Sequence, residues 1–167
     1  MPRIVIVCTK NQFRSPLAAA ILRNELATRK ISGQWVVESA GSWVHDLSPA
    51  SPHAIEQATK RGLDLGKHTA KGIEEIDRQG IDLLLVMEEG QKEAILLDYP
   101  FLKDRTYLLS ELSGAAYTIP DPYLTGESFS EIASEIESLI HENIEKIIAL
   151  AYGIFHPNPL PARNFKK

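Results

Sequence analysis

Cysteine is nearly absent from this sequence of 167 residues, which contains only Cys8. A single cysteine cannot form an internal disulfide bond or build a cysteine-based structural zinc site. The histidines also lack metal-ligand spacing, since the stretch that begins at His141 has Glu145 where a metalloprotease helix needs its second histidine. We therefore expect no metal and no other cofactor. Cys8 is either an inert buried residue or a reactive one.

The sequence also lacks long apolar runs and an excess of positive charge. Its apolar runs reach five or six residues, as in Leu83–Met87, whereas a membrane-spanning helix needs about 20. The apolar run at residues 4–8 is too short for the core of a signal peptide. The net charge of −4 argues against nonspecific binding of nucleic acid. We expect a cytoplasmic protein that binds neither membranes nor nucleic acid.

The composition is that of an ordinary globular domain. Hydrophobic residues make up 44% of the chain and charged residues 24%, which is enough apolar surface to form a core. The length is typical of one domain. We predict that residues 1–152 form this domain and that residues 153–167, which contain three prolines, form an irregular C-terminal extension.

Predicted strands alternate with predicted helices along the chain. Short β-branched or apolar runs predict strands at Arg3–Cys8, Trp35–Ser39, Leu83–Met87 and Thr106–Leu109. Helical patterns occur at Pro16–Arg29, from Ser51 to a stop at Gly62, at Ala70–Gln79, at Glu89–Leu97, and on one long apolar face after a cap at Ser128. Ser113–Glu127 has the composition of a loop. This order predicts an α/β fold with three layers, in which helices flank a four-stranded parallel sheet.

The segment between the first strand and the first helix contains the residues with the clearest chemistry. Cys8 ends the strand, Ser15 is a good N-cap, and Pro16 is suited to the first helical position. A loop closed onto a helix N-terminus binds a tetrahedral oxyanion, and it favours the thiolate form of a cysteine placed over it. Arg14 can bind two phosphate oxygens at once. One phosphate loop would thus supply a nucleophile, an anion site and a cation.

This loop resembles that of the low-molecular-weight protein tyrosine phosphatases. The family motif, C-x-x-N-x-C-R-[ST]-P, is matched by Cys8, Asn11, Arg14, Ser15 and Pro16. Further matches to the family are Asp121-Pro122-Tyr123 for its D-P-[YFW] acid loop, Ser39-Ala40-Gly41-Ser42 for its S-A-G-T run, and His68. Two main motifs in the right order make the resemblance specific.

The resemblance implies a metal-independent phosphatase that hydrolyses phosphotyrosine, in a protein or a small aryl phosphate, through a phosphocysteine intermediate. It implies that Cys8 is the nucleophile, that Arg14 stabilises the phosphoryl oxygens, and that Asp121 is the general acid and base. The other residues predicted to bind phosphate or support the loop are Thr9, Lys10, Asn11, Gln12, Phe13, Ser15, Ser39 and His68. We expect Asn11 to adopt a left-handed backbone. Trp43 and Tyr123 are expected at the substrate mouth, although Trp43 is equally compatible with a packing role.

Three loop residues differ from the family pattern. Lys10 replaces the usual glycine, so it either strains the backbone by about 1 kcal/mol at positive φ or adds a cation near the phosphate. Phe13 replaces a second cysteine, and Gln12 replaces an aliphatic residue that is threonine in protein-arginine phosphatases. A protein-arginine phosphatase and a noncatalytic module that binds phosphorylated ligands therefore remain as alternatives. A thioredoxin-coupled arsenate reductase is disfavoured, because it needs further cysteines.

Overall fold

Four parallel strands form one sheet in the computed structural model, which describes residues 1–154. The strands are β1 (Arg3–Cys8), β2 (Val36–Gly41), β3 (Leu83–Val86) and β4 (Thr106–Leu108). Their order across the sheet is β2-β1-β3-β4, and every adjacent pair is parallel. The predicted α/β fold with a four-stranded parallel sheet is confirmed, and the predicted strand ends differ from the observed ones by one or two residues.

The two central strands are apolar on both sides because both sides of the sheet are covered. In β1, Ile4, Ile6 and Cys8 belong to one hydrophobic core, whereas Val5 and Val7 belong to the other. This alternation follows from the two-residue repeat of a strand. A strand buried on both faces therefore reads as a continuous apolar run, as this one does.

Helices cover the two faces unequally. The helices are α1 (Arg14–Thr28), α2 (Pro52–Thr59), α3 (Glu89–Asp98), α4 (Pro122–Thr125), α5 (Phe129–Glu142) and α6 (Ile144–Ala151). Residues of α1, α2, α5 and α6 share the core that contains Cys8. Ile95 of α3 lies in the opposite core, together with Ile73 and Leu102 from 3₁₀ turns and Ile76 from the extended residue after the first of these turns. The predicted three layers are therefore present.

The predicted helix at Ala70–Gln79 is wrong. This stretch forms two 3₁₀ turns, Ile73–Glu75 and Arg78–Gly80, separated by extended backbone at Ile76. The Glu75 side chain accepts a hydrogen bond from the Gly72 N–H, which closes the first turn on itself. Ile73 in this turn and Ile76 directly after it are both buried, so the stretch contributes to the core without forming a continuous helix.

The start of α1 also differs from the prediction. The helix begins at Arg14 after an N-cap position at Phe13, so Ser15 is not the N-cap and Pro16 is not the first helical residue. No side chain caps this end of the helix. The Ser15 hydroxyl is instead hydrogen-bonded near Cys8, and the first N–H groups of α1 remain without intrahelical partners.

Other predicted helix ends are confirmed or refined. Ser51 caps α2 through the Ala54 N–H, and Gly62, at φ 72°, follows its last turn. Ser128 caps α5 through the Glu131 N–H. The predicted loop at Ser113–Glu127 contains α4, and the long apolar face after Ser128 is divided between α5 and α6 at Asn143.

Most of the predicted C-terminal extension lies outside the described residues. Of residues 153–167, only Gly153 and Ile154 are described. Among residues 1–154, no helix has the length and apolar character needed to cross a membrane. The cytoplasmic location stays a prediction.

The C-terminal end of α1 contains a lysine in a conformation that favours glycine. Lys30 has φ 59°, and its N–H bonds the Ala27 carbonyl while the Ile31 N–H bonds the Leu26 carbonyl. This pattern is a Schellman motif, in which glycine avoids the steric cost of the left-handed region. We predict that Lys30→Gly raises the free energy of unfolding by about 0.5–1 kcal/mol, measured by urea denaturation.

The matched control is Lys60→Gly at the end of α2. Lys60 is exposed and has φ −59°, so glycine there brings only its entropic cost and should lower the free energy of unfolding. A destabilised Lys30→Gly protein would contradict the assignment of strain to this position.

Candidate active site

Cys8 lies at the topological switch point of the sheet. The chain leaves β1 toward β2 on one side, and β3 lies on the other side of β1. The loops that follow β1 and β3 therefore separate at the carboxyl edge of the sheet and leave a crevice, which is the usual ligand site in open α/β folds. Cys8, the last residue of β1, is only 3% exposed at the base of this crevice.

The Cys8 sulfur contacts a hydroxyl from the first turn of α1. Its Sγ atom lies 3.0 Å from Ser15 Oγ, which also lies 3.2 Å from the Ala40 carbonyl oxygen. Asn11 Nδ2 donates to this hydroxyl at 2.8 Å, so the single Ser15 proton is left for either the sulfur or Ala40. A thiolate at Cys8 could only accept a hydrogen bond, and Ser15 is placed to donate one to it.

Asn11 holds the middle of the phosphate loop in a left-handed conformation. Its φ is 56°, as the sequence predicts for this residue, and it is completely buried. Besides the bond to Ser15, its Nδ2 donates to Ser39 Oγ at 2.9 Å, and its Oδ1 accepts from the Lys71 N–H at 3.1 Å. Its backbone carbonyl lies 2.7 Å from His68 Nε2. These contacts offset the strain of the unusual backbone.

The His68 imidazole acts as a neutral donor to the loop. Burial lowers the pKa of His68 below its ordinary value, the hydrogen bond to Asn11 opposes this effect, and the positive charges of Arg23 and Lys71 lower the pKa further. A neutral imidazole carries one N–H, which the geometry places on Nε2, facing the Asn11 carbonyl. The structure thus brings Ser39 and His68, both predicted from the sequence, against the same asparagine.

A glycine allows β2 to approach the phosphate loop closely. A Cβ atom on Gly41 would lie 2.5 Å from the Thr9 carbonyl oxygen and would collide with the Val44 side chain. Immediately after it, the Ser42 N–H donates to the Cys8 carbonyl at 2.9 Å and the Trp43 N–H donates to the Thr9 carbonyl at 3.0 Å. The segment after β2 is therefore fixed to the loop through the backbone.

Arg14 is a buried cation held by groups from remote segments. It is 2% exposed, forms an ion pair with Glu88 through Nη1, and donates from the same atom to the Ile119 carbonyl at 2.8 Å. Its Nη2 lies 3.8 Å from Asp121 Oδ2. The guanidinium is thus oriented before any ligand is bound, with one nitrogen committed to the protein.

Asp121 is placed by a short helix of its own. It is the N-cap of α4, and its Oδ1 accepts from the Tyr123 N–H at 3.0 Å. The other oxygen faces Arg14, and the side chain is 15% exposed. This carboxylate therefore lies at the same crevice as Cys8 and Arg14, within reach of solvent.

Two residues of this region were not identified from the sequence. Glu88, the ion-pair partner of Arg14, lies two residues after Val86, the last residue of β3. Gln91, in α3, accepts from the Met87 and Glu88 N–H groups and donates to Thr9 Oγ1 at 3.1 Å. Since β3 is parallel to β1, polar residues after β3 fall at the carboxyl edge beside Cys8, and this signal would have identified both.

A cleft of about 150 Å³ opens above the sulfur. It is lined by Cys8, Lys10, Gln12, Phe13, Arg14, Asp121, Tyr123 and Leu124. Lys10 does not have positive φ, so it does not carry the predicted backbone strain, and its side chain lines the cleft. Tyr123, predicted at the mouth, lines the cleft. Trp43 does not; it lines an adjoining groove of about 200 Å³.

Phe13 packs into an aromatic cluster on one wall of this cleft. Its ring meets those of Tyr123 and Phe129 edge to face, at centroid distances of 6.5 and 5.1 Å. His53 stacks on Phe129 at 3.8 Å with an interplanar angle of 6°. The cluster joins the phosphate loop to the segment that carries Asp121, because Tyr123 belongs to α4 and Phe129 begins α5.

The region contains anion-binding groups rather than a metal-ligand cluster. Within the described residues 1–154, no group of three or more His, Cys, Asp or Glu side chains has an arrangement that could hold a metal ion. The cleft instead presents a thiol, a guanidinium, an ammonium and one carboxylate. This set suits an anionic substrate and a reaction that needs both a nucleophile and a proton donor.

Comparisons with known proteins agree with this chemistry. The family model described as "Low molecular weight phosphotyrosine protein phosphatase" matches residues 3–149. A protein-arginine-phosphatase from Geobacillus stearothermophilus is 33% identical over 150 residues, covering 87% of this chain and 95% of that protein. A probable low molecular weight protein-tyrosine-phosphatase, EpsP, from Ralstonia nicotianae is also 33% identical, covering 88% and 97%.

Solved structures show the same similarity in three dimensions. The crystal structure of a low molecular weight protein tyrosine phosphatase from T. tengcongensis superposes with a TM-score of 0.79. It is 33% identical in sequence, and the match covers 87% of this chain and 99% of that one. The likeness therefore extends over most of this chain and nearly all of the other.

The lowered pKa of His68 predicts a pH dependence of stability. His68 in the unfolded chain binds a proton near the ordinary pKa of 6.5, whereas its pKa in the folded protein is lower. The stability that His68 contributes is therefore fully present above pH 6.5 and is lost as the pH falls from there through the pKa of the folded state. In His68→Gln, whose amide can still donate to Asn11, we expect a smaller difference between the unfolding free energies at about pH 7.5 and pH 5.5.

Urea denaturation at both pH values measures this difference. His45→Gln is the control, because His45 is exposed and its loss should leave the pH dependence as in the wild type. An unaltered pH difference in His68→Gln would assign the dependence to other groups.

Proposed function

Because the chain belongs to the low molecular weight phosphotyrosine protein phosphatase family, we propose that it hydrolyses phosphotyrosine, in proteins or in small aryl phosphates, with Cys8 as the nucleophile. The convergence of Cys8, Arg14 and Asp121 on one cleft is the observation that supports this function. The three side chains come from the end of β1, the start of α1 and the cap of α4.

In the first step the Cys8 thiolate attacks phosphorus and forms a P–S bond. The bond from phosphorus to the phenolic oxygen breaks, and Asp121 gives its proton to that oxygen. The Ser15 hydroxyl lies 3.0 Å from the sulfur and donates to the thiolate before attack. It offers the same hydrogen bond when the sulfur becomes the leaving group in the second step.

In the second step a water molecule hydrolyses the phosphocysteine. Asp121, now a carboxylate, takes a proton from the water, the new P–O bond forms, and the P–S bond breaks to release inorganic phosphate and the thiolate. At the end of the second step Cys8 is again a thiolate and Asp121 is again protonated, as both were before the first step. Asp121 performs both proton transfers. Because its side chain is partly exposed, the phenol can leave and a water molecule can take its place beside the carboxylate.

Arg14 stabilises the charge on the equatorial oxygens during both steps. Its Nη1 is occupied by Glu88 and the Ile119 carbonyl, which leaves Nη2 and Nε for the phosphoryl group. The N–H groups at the start of α1 have no intrahelical partners and add positive potential at the same place. With these donors the proposed mechanism requires no metal.

The aromatic wall of the cleft fits an aryl substrate. Tyr123 is 51% exposed and lines the opening, and Phe13 supports it from below through an edge-to-face contact. A phenyl ring attached to the bound phosphate would pack against this wall. Tyr123 is therefore the better-supported contact for the substrate ring, with Trp43 placed one groove away.

Phosphoarginine is a second candidate substrate. Gln12 is polar where the family usually has an aliphatic residue, and it lines the cleft. An amide oxygen there is suited to accept hydrogen bonds from a guanidinium group. The similar protein from Geobacillus stearothermophilus carries the name protein-arginine-phosphatase.

Hydrolysis of p-nitrophenyl phosphate at about pH 6 with a chelator present tests the mechanism. We expect turnover by the wild type, only background turnover by Cys8→Ser, and a loss of about 10²-fold or more in kcat for Asp121→Asn. Circular dichroism establishes that both variants are folded. A folded wild type that binds vanadate without turning over substrate would instead identify a noncatalytic phosphate-binding module.

Peptides that differ only in the phosphorylated residue test the substrate class. We expect a higher kcat/KM for phosphotyrosine than for phosphoarginine in the wild type, because the wall of the cleft is aromatic. Gln12→Leu should raise this preference further by removing the amide. A wild type that prefers phosphoarginine would establish the alternative activity for this chain.

A further inference from the structure

We propose that the groove beside the catalytic cleft binds a second anionic group of the substrate through Lys10. The anion is a carboxylate or a phosphate on a residue next to the phosphotyrosine. This inference rests on the proposed phosphatase function and assigns a substrate preference to it.

Lys10 is a cation without a partner among residues 1–154, in a phosphate loop that is otherwise densely bonded. It is exposed, two residues after Cys8 in sequence, and it forms no hydrogen bond or ion pair with any residue in the described part of the chain. Arg14, by contrast, is held by Glu88 and Ile119. The Lys10 ammonium is therefore free to bind an anion without first breaking a contact.

The position of Lys10 joins two cavities. It lines the cleft above Cys8 and also a groove of about 200 Å³ whose other lining residues are Gln12, Trp43, Val44, His45 and Asp46. Gln12 also lines both the cleft and the groove. A substrate whose phosphate lies on Arg14 would therefore have its neighbouring residues beside this groove, within reach of the lysine.

The far wall of the groove is built before any substrate binds. The Ser42 and Trp43 N–H groups bond the carbonyls of Cys8 and Thr9, so the wall is attached to the phosphate loop itself. The Trp43 ring is 61% exposed and meets the His45 ring edge to face at 4.2 Å. A preformed wall with an exposed indole can cover the backbone of a peptide at little entropic cost.

The charges of the groove make the proposal specific. Lys10 attracts an anion, His45 adds a second donor, and Asp46 opposes an anion at the same groove. Removing Lys10 or Asp46 should therefore shift the preference for acidic substrates in opposite directions. A lysine that served only the scissile phosphate would not produce this pair of effects.

The experiment compares phosphotyrosine peptides that carry Glu or Gln at one of four positions. These are the two residues before and the two residues after the phosphotyrosine, changed one at a time. The measured quantity is the ratio of kcat/KM for the Glu peptide to that for the Gln peptide. At one or more of these positions we expect a ratio above one for the wild type. Lys10→Gln should lower it about two- to fivefold and Asp46→Asn should raise it, and added salt should reduce all of these differences.

A peptide with phosphoserine in place of the Glu distinguishes a neighbouring phosphate from a carboxylate as the better ligand. Lys103→Gln is the matched control, because Lys103 is an exposed lysine in the turn before β4, at the opposite edge of the sheet. It changes the net charge by the same amount and should leave the ratio as in the wild type. An equal loss in this variant would attribute the effect to overall charge and overturn the proposal.

Different results would contradict anion binding by the groove and the phosphatase function itself. If the wild type hydrolyses p-nitrophenyl phosphate but shows the same kcat/KM for Glu and Gln peptides at every position, the groove does not bind a second anion. If the wild type hydrolyses no phosphate ester, the proposed function itself is wrong. Equal ratios in the wild type and Lys10→Gln would likewise overturn the assignment to Lys10.

Discussion

The left-handed backbone of Asn11, held in place by its own side chain, is the constraint on which the site depends. A φ of 56° is costly for most residues, although asparagine tolerates it better than others. Here the Asn11 amide binds Ser15, Ser39 and the Lys71 backbone, and its carbonyl meets His68. These partners come from α1, β2 and the segment after α2. The loop therefore acquires its shape only when the sheet and helices are assembled, and the assembled fold stores the strain where an anion is to be bound.

The parallel sheet explains how so few residues supply a complete set of reactive groups. Cys8 ends β1, and Glu88 and Gln91 follow β3, so all three lie at the same edge. Glu88 orients Arg14 at the end of the phosphate loop, and Gln91 donates a hydrogen bond to Thr9 at its start. Both ends of the loop are therefore supported by residues that follow β3. This second layer restricts the motion of groups that must be correctly placed before substrate arrives.

The departures from the family pattern alter the surroundings of the site and leave its reactive groups in place. Phe13, in the position of the family's second cysteine, fills its space by packing on Tyr123 and Phe129. This packing links the phosphate loop to the segment that contains Asp121. Because Cys8 is the only cysteine in the sequence, no neighbouring thiol can protect it once it is oxidised. Lys10 adds an exposed cation to the loop. We propose that Lys10 affects which substrates are accepted, whereas the replacement of the second cysteine by Phe13 affects how Cys8 responds to oxidants.

The sequence by itself determined the alternation of strands and helices and the phosphate loop between Cys8 and Pro16, because these depend on residues a few positions apart. It also indicated a left-handed Asn11, since asparagine tolerates this backbone, but the contacts that hold Asn11 there come from distant segments. It led to errors where tertiary packing prevailed, as in the start of α1 before Ser15 and in the two 3₁₀ turns, Ile73–Glu75 and Arg78–Gly80, that replace the helix predicted at Ala70–Gln79. Only the tertiary structure decided that Glu88 and the Ile119 carbonyl hold Arg14, and that Trp43 lies beside the cleft rather than in it. Those contacts join segments that are distant along the chain, and their distances are set by the register of the sheet and the packing of helices on it, which local patterns do not encode.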